Sequence, residues 1–356
     1  MQRLTRSSAP SMPNNEIIIV GYKNLCFSNA ATNDVFVRPD MYKIVEENEE
    51  FDINYIKGDT CNVPVLFKCS RTKLGIQSSE ENYSNIQVIE DNCAGSTKCM
   101  VAYDGKAYMK EIFLSDIIDN MKLEHGRRKH VYNALSICYA FMDLSTKFQS
   151  PKFATEFDLA IHNWPDILKI AQTQFAGSYT DFQISFGGSC IWISIIFGKK
   201  TCWLIPPTDY NLNAYEFYLK DSSALKLFFG FIAENCCRIT LTAGQSFYLP
   251  AGWIHAVYTD EDTVMIGGNF LTSVSLETHL KIVESENRQR LREKYSYPFF
   301  KNLMWFTVAA IVTEITGVEF IDSEKFKKLS CVEKVVKNTN NFFQKNRKKY
   351  DFIKHF

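Results

Sequence analysis

The 356-residue chain has no net charge, 40 Lys and Arg balancing 40 Asp and Glu, so no overall field points to a nucleic-acid partner. Its 11 cysteines include no CxxC pair. Their odd number and scatter, with no recognisable secretory leader, predict reduced and mostly buried thiols in an intracellular protein, with neither disulfides nor a zinc finger. Long apolar runs are also missing. The longest, Leu303 to Val312, is interrupted by Thr313 and Glu314, well short of the roughly 20 residues a bilayer needs. It reads as a buried helix, and no membrane partner is expected. No internal repeat of fixed period is found.

What the chain does have is apolar mass. With 46 % hydrophobic and 14 % aromatic residues, it is globular and long enough for a large core. Charge is uneven underneath the neutral total: residues 281–356 hold 16 basic against 9 acidic side chains. The runs Lys325-Phe326-Lys327-Lys328 and Lys345-Asn346-Arg347-Lys348-Lys349 suit solvated helix faces, salt-sensitive contact with DNA phosphates, or nuclear import. Arg127-Arg128-Lys129 is a shorter run of the same kind.

Four regions follow from the pattern. Residues 1–15, rich in Ser, Pro and Asn, read as a disordered tail. Residues 16–130 read as an N-terminal α/β elaboration, with β-rich pieces at Ile17 to Val20, Val63 to Phe67 and Ile86 to Ile89 and helical spacing from Met109 to Met121. Residues 131–280 hold the clearest strands: Phe182 to Phe186, Ile191 to Phe197, Thr201 to Ile205, Arg238 to Leu241, Ser246 to Leu249, His255 to Tyr258 and Val264 to Ile266. Gly and Pro turns separate them, the signature of a sandwich or barrel. From Ser275 the spacing is helical, and residues 281–356 read as a C-terminal helical region.

One strand asks for an explanation. Side chains two apart share a face of a strand, so Asp181, Gln183 and Ser185 would point one way while Phe182, Ile184 and Phe186 point the other. A polar face turned into a barrel lines a cavity, and His255 on a later strand can present its imidazole to the same space. Alone, His255 reads as a hydrogen-bonded core histidine, and Lys200 as a solvated lysine of the Gly198-Lys199-Lys200 hairpin.

The motifs Tyr179-Thr180-Asp181-Phe182, Phe186-Gly187-Gly188, Gly198-Lys199-Lys200, Pro250-Ala251-Gly252-Trp253-Ile254-His255 and Gly267-Gly268-Asn269-Phe270-Leu271 stand in an order and at gaps that resemble the Jumonji C (JmjC) domain of Fe(II)/2-oxoglutarate histone lysine demethylases. The likeness runs from about Asn133 to Phe270 and is greatest to the branch with F-box and plant-homeodomain fingers, although no finger spacing occurs here. It implies an α+β fold: a double-stranded β-helix, the JmjC/cupin-like barrel, with an N-terminal α/β elaboration and a C-terminal helical bundle.

The same resemblance implies the site. The family holds iron on a His-x-Asp pair and a distal His, leaving positions open for cosubstrate and oxygen. Here Gln183 and Ser185 stand where the first His and the Asp are expected, and only His255 matches. For 2-oxoglutarate, Lys200, Thr180 and Asn133 match cosubstrate contacts, Asn133 from a preceding helix, while Ile193 lies where this branch places a Tyr. Losing a residue that merely orients a ligand costs about 10–100-fold in metal affinity. Losing two ligands, one the only anion, costs more, and neither a neutral amide nor a short hydroxyl replaces them. Asp181 lies about 7 Å along the strand from Gln183, too far to substitute.

The resemblance therefore implies a nuclear, JmjC-type chromatin protein impaired in catalysis, a scaffold or reader with histone tails or chromatin proteins as partners. The competing expectation is an active demethylase releasing formaldehyde, with unconventional iron ligands. A purely structural, oligomer-forming role has no positive signal.

Overall fold

A computed structural model describes residues 29–57, 59–77, 85–103, 109–124, 127–128, 130, 132–135, 143–163, 181–220, 227–291, 296–297 and 299–317. In chain order its strands are β1 (Lys43–Val45), β2 (Val65–Phe67), β3 (Lys98–Tyr103), β4 (Met109–Phe113), β5 (Tyr132–Leu135), β6 (Cys190–Phe197), β7 (Lys199–Ile205), β8 (Cys237–Thr242), β9 (Ser246–Leu249), β10 (Ile254–Thr259) and β11 (Val264–Phe270). The longer helices are α1 (Gln87–Asn92), α2 (Leu114–Lys122), α3 (Asp209–Lys220), α4 (Leu276–Arg288) and α5 (Phe300–Thr316). None is long and apolar enough to cross a membrane.

Strands β1-β2-β9-β6-β11 form a large sheet, β10-β7-β8 a smaller one, and β4-β3-β5 a third. Beyond residue 189 the chain crosses repeatedly between the first two: β6 lies in the large sheet, β7 and β8 in the small, β9 in the large, β10 in the small and β11 in the large. Side chains alternate along each strand, so every one of these strands presents one face to the opposite sheet. Ile195, Phe247 and Leu249 of the large sheet meet Cys202, Leu204, Ile239 and Leu241 of the small one in a single apolar layer.

The outer faces are covered in turn. Trp192, Ile196, Tyr248 and Phe270 on the back of the large sheet pack with Leu114, Ile117 and Ile118 of α2 and with the aromatic stack of Phe67 and Phe153. Trp203, Ile205 and Ile254 on the back of the small sheet pack under Phe182, Tyr215, Phe228 and Phe229. The eight described cysteines are all buried, as their scatter predicts. Burial pushes the Cys190 and Cys202 thiols up to about 12, which leaves them protonated and unreactive.

The later strands and both C-terminal helices lie where the sequence places them. Leu276, Leu280 and Val283 face the buried stripe of α5. Three expectations are corrected. Residues 87–89 lie in α1 rather than in a strand: the Asn85 side chain accepts from the Gln87 N–H at 2.9 Å and Gln87 bonds Asp91 one turn on at 2.7 Å, local bonds that outweigh the β-branched composition. Met109 to Phe113 is strand, held by its ladder to β3, and the helix begins only at Leu114. Of Phe182 to Phe186, only Gln183 pairs, as a single antiparallel bridge with His255, before a 3-10 turn at Phe186–Gly188.

Arg128 is not a free cation. Its guanidinium grips both Asp262 carboxylate oxygens, at 2.8 and 2.5 Å, and donates to the Leu123 and Met121 carbonyls. It is a structural clamp between the loop after α2 and the β10–β11 turn. The tail 1–15, the Ile17 to Val20 piece and the basic runs 325–328 and 345–349 lie outside the described residues.

Candidate functional site

Strand alternation decides which polar side chains enter the space between the sheets. On β7, Cys202 and Leu204 belong to the inter-sheet layer, so Lys200 points the same way. On β10, Val257 packs against that layer, so His255 shares its face. The register pairs His255 with Leu204 and Thr259 with Lys200, which sets the imidazole and the lysine about 13 Å apart along the ladder. The small sheet thus carries one titratable group near each end of one inward face.

Lys200 is 7 % exposed. Among the described residues no hydrogen bond or ion pair reaches its ammonium, and burial lowers its pKa from the usual lysine range. A buried cation without a partner is costly, and no described residue supplies an anion to this one.

At the other end Gln183 and His255 are locked together. Their backbones exchange two hydrogen bonds, each 2.9 Å, which brings the side chains face to face. The Gln183 Nε2 stands 3.4 Å from His255 Nε2, and His255 Nδ1 lies 3.2 Å from the Trp253 carbonyl. Only one arrangement satisfies both contacts: Nδ1–H donates to Trp253, and Nε2 accepts from the amide. Burial drives the His255 pKa down to about 4, so the ring is neutral at physiological pH. Ser185 is half-buried at the start of the 3-10 turn. Asp181 is held locally, its carboxylate accepting from the Phe182 N–H at 2.8 Å.

These residues do not fit iron. The ring nitrogen that would ligate is already the acceptor of an amide N–H, the two neighbouring positions offer a neutral amide and a hydroxyl, and no group of three His, Cys, Asp or Glu among the described residues could hold a metal. The lysine end does fit a carboxylate. Of the other expected cosubstrate contacts, Thr180 lies outside the described residues, and Asn133 sits on β5 rather than on a helix, its backbone paired with Ala102 in the third sheet. Ile193 does belong to the inter-sheet face, opposite Phe247 and Gly267.

Two features escaped sequence reasoning. Asn269 pairs with Ile191 and so turns inward, partly buried; the period-2 pattern of β11 would have shown it had the strand been extended past Ile266. The second is a latch from α4. His279 Nδ1 lies 3.2 and 3.1 Å from the Gly187 and Gly188 carbonyls, and its Nε2 accepts from the Thr272 N–H. One turn further on, Ile282 packs over Gly188, and a turn beyond that Glu286 accepts from the Gly187 N–H at 2.8 Å. Polar residues at the first and last of three positions spaced 3 and 4 apart, with Ile282 between them, mark a buried helix face that carries hydrogen bonds.

Glu286 gives a pH prediction. Burial raises its pKa from 4.5 to about 7 against the opposing Gly187 bond. Between those values the folded chain keeps a proton that the unfolded chain releases, so stability falls as pH rises through the window, by about 3 kcal/mol. Glu286→Gln keeps the acceptor and removes the titration. Urea unfolding should show the variant equal to the parent or weaker near pH 4.5 and gaining on it steadily to pH 7.5; parallel curves would refute the assignment.

No model of a known protein family matches the chain. Individual proteins do: lysine-specific demethylase 2A of Xenopus tropicalis is 32 % identical over 287 residues, covering 75 % of this chain and 25 % of that protein. Most of this chain is similar to JmjC histone demethylases. Lysine-specific demethylase 2B of Mus musculus is 28 % identical over 310 residues, 81 % of this chain and 23 % of its own length, and JmjC domain-containing histone demethylation protein 1 of Caenorhabditis briggsae 29 % over 300 residues, 77 % and 28 %. These relatives support the JmjC demethylase family, and the mixed α+β architecture fits a JmjC-type cupin fold. The chain spans about a quarter of the length of the relatives it matches.

Proposed function

We propose that this chain is a JmjC-type module of a nuclear chromatin protein that has lost iron chemistry and acts by binding, with a histone tail or a chromatin protein as its partner. The observation that carries the reading is the Gln183 amide against the ring nitrogen of His255. Repeated crossing of the chain between two facing antiparallel sheets supports a double-stranded β-helix, and the named relatives support the demethylase-like context. The motifs favour the branch with F-box and plant-homeodomain fingers. Basic runs 325–328 and 345–349 add salt-sensitive DNA contact to the proposal.

Calorimetric titration of metal-free protein with Mn(II), with and without 2-oxoglutarate, tests it. The expected result is no saturable binding in the micromolar range. Micromolar binding that 2-oxoglutarate tightens would sink the reading, and so would formaldehyde release from a methylated histone peptide. Retention of buried Lys200 is the one observation favouring that alternative, an active demethylase with 2-oxoglutarate as cosubstrate.

A further inference from the structure

Charge bookkeeping along the inward face of the small sheet points to a ligand different from the one the family resemblance implies. The face offers a single cation, Lys200, 7 % exposed and unpaired among the described residues. Between it and the far end, the inward side chains of β7 and β10 are Cys202, Leu204 and Val257, and Ile193 and Met265 face them from the large sheet. The far end holds a neutral imidazole and an amide already bonded to each other. Ile191, Ile193, Met265 and Asn269 face inward and are only partly buried, which makes this side of the layer the place where an apolar-walled cleft can admit a ligand.

We propose that this cleft binds an aliphatic monocarboxylate, its carboxylate on Lys200 and its chain along Ile193, Val257 and Met265, without any metal. This rests on the loss of iron argued above. A dicarboxylate such as 2-oxoglutarate would place its second anionic group among apolar walls and neutral partners, with no cation among the described residues to compensate it. Breaking the charge balance of a buried pair in that way costs about 100-fold in affinity.

The test uses the full chain in chelator and compares pentanoate with glutarate and 2-oxoglutarate by ligand-observed NMR and calorimetry. Pentanoate should bind about 100-fold more tightly than either dicarboxylate, and Lys200→Met should abolish its binding while circular dichroism shows the fold retained. Equal or tighter binding of 2-oxoglutarate, or no binding of pentanoate to the parent protein, would overturn the proposal, and both are measured on the unmodified chain. Metal binding in the titration described earlier would instead sink the loss of iron itself, so the two failures are separable.

Discussion

Gln183→His combined with Ser185→Asp is expected to raise Mn(II) affinity into the micromolar range, a gain of more than about 100-fold over the parent protein. The scaffold for this change is already in place. The backbone bridge between Gln183 and His255 fixes the two positions face to face, so a histidine at 183 would meet the ring of His255 across the same short gap that the amide now spans. Ser185 is half-buried at the mouth of a turn, where a carboxylate retains water and is not penalised by burial. The His279 and Glu286 latch holds the following glycines rigidly, which limits the entropy lost when a ligand set closes. Calorimetry on the single and double variants checks it. The Ser185→Asp protein alone should gain little, because the Gln183 amide would still occupy Nε2. No gain in the double variant would show that the geometry, and not only the chemistry, has drifted from a metal site.

A second large effect is expected at Gly198, the turn that carries β6 into β7 and sets the register of Lys200. Its φ is +88°, and a Cβ there would collide with the Asp262 carbonyl and stand 2.7 Å from the Thr263 Cα. Neither atom belongs to a flexible side chain, so the β10–β11 turn itself must move. That turn carries the Arg128 clamp on Asp262 and the Thr263 hydroxyl that accepts from the Lys199 N–H at 3.0 Å. Gly198→Ala should therefore cost at least about 3 kcal/mol. Gly244 provides the control: it has the same φ, +88°, and nothing within 4 Å of its would-be Cβ. Gly244→Ala meets only the left-handed penalty, about 1 kcal/mol. Denaturant unfolding of the pair separates the conformational cost from the collision, and equal losses would refute the second.

Much of the two-sheet core is legible in the sequence. The strands from Cys190 to Phe270 announce themselves through alternation and Gly/Pro punctuation, because burial on one face leaves a period of two in the sequence. Gln183 and His255 are found by matching motifs, and the structure sets them against each other. The misses have local causes. Residues 86–89 have the composition of a strand, but the Asn85 side-chain bond to the Gln87 N–H is a one-residue signal that composition cannot weigh against it. Gln183 sits in a stretch that alternates like a strand, yet its ladder is one bridge long because two consecutive left-handed glycines, Gly187 and Gly188, turn the chain away. The latch from α4 joins residues about 90 apart, and no periodicity within either segment discloses it. Whether Lys200 is a surface lysine or a buried one is equally invisible until its strand is seen to have an inward face.

The order of strands in the large sheet also governs how this chain is made. Val65 of β2 pairs with Tyr248 of β9, so the N-terminal edge waits for a partner translated roughly 180 residues later, about 10–40 s at typical ribosome speeds. During that interval β2 and β6 lack the strand that joins them, and Phe67, Trp192 and Ile195 have no completed layer to enter. Such long-range pairing slows folding and exposes strand edges. The nascent chain is therefore most vulnerable to aggregation before residue 249 emerges, and production of the protein should depend more on chaperone supply than its finished, well-packed state suggests.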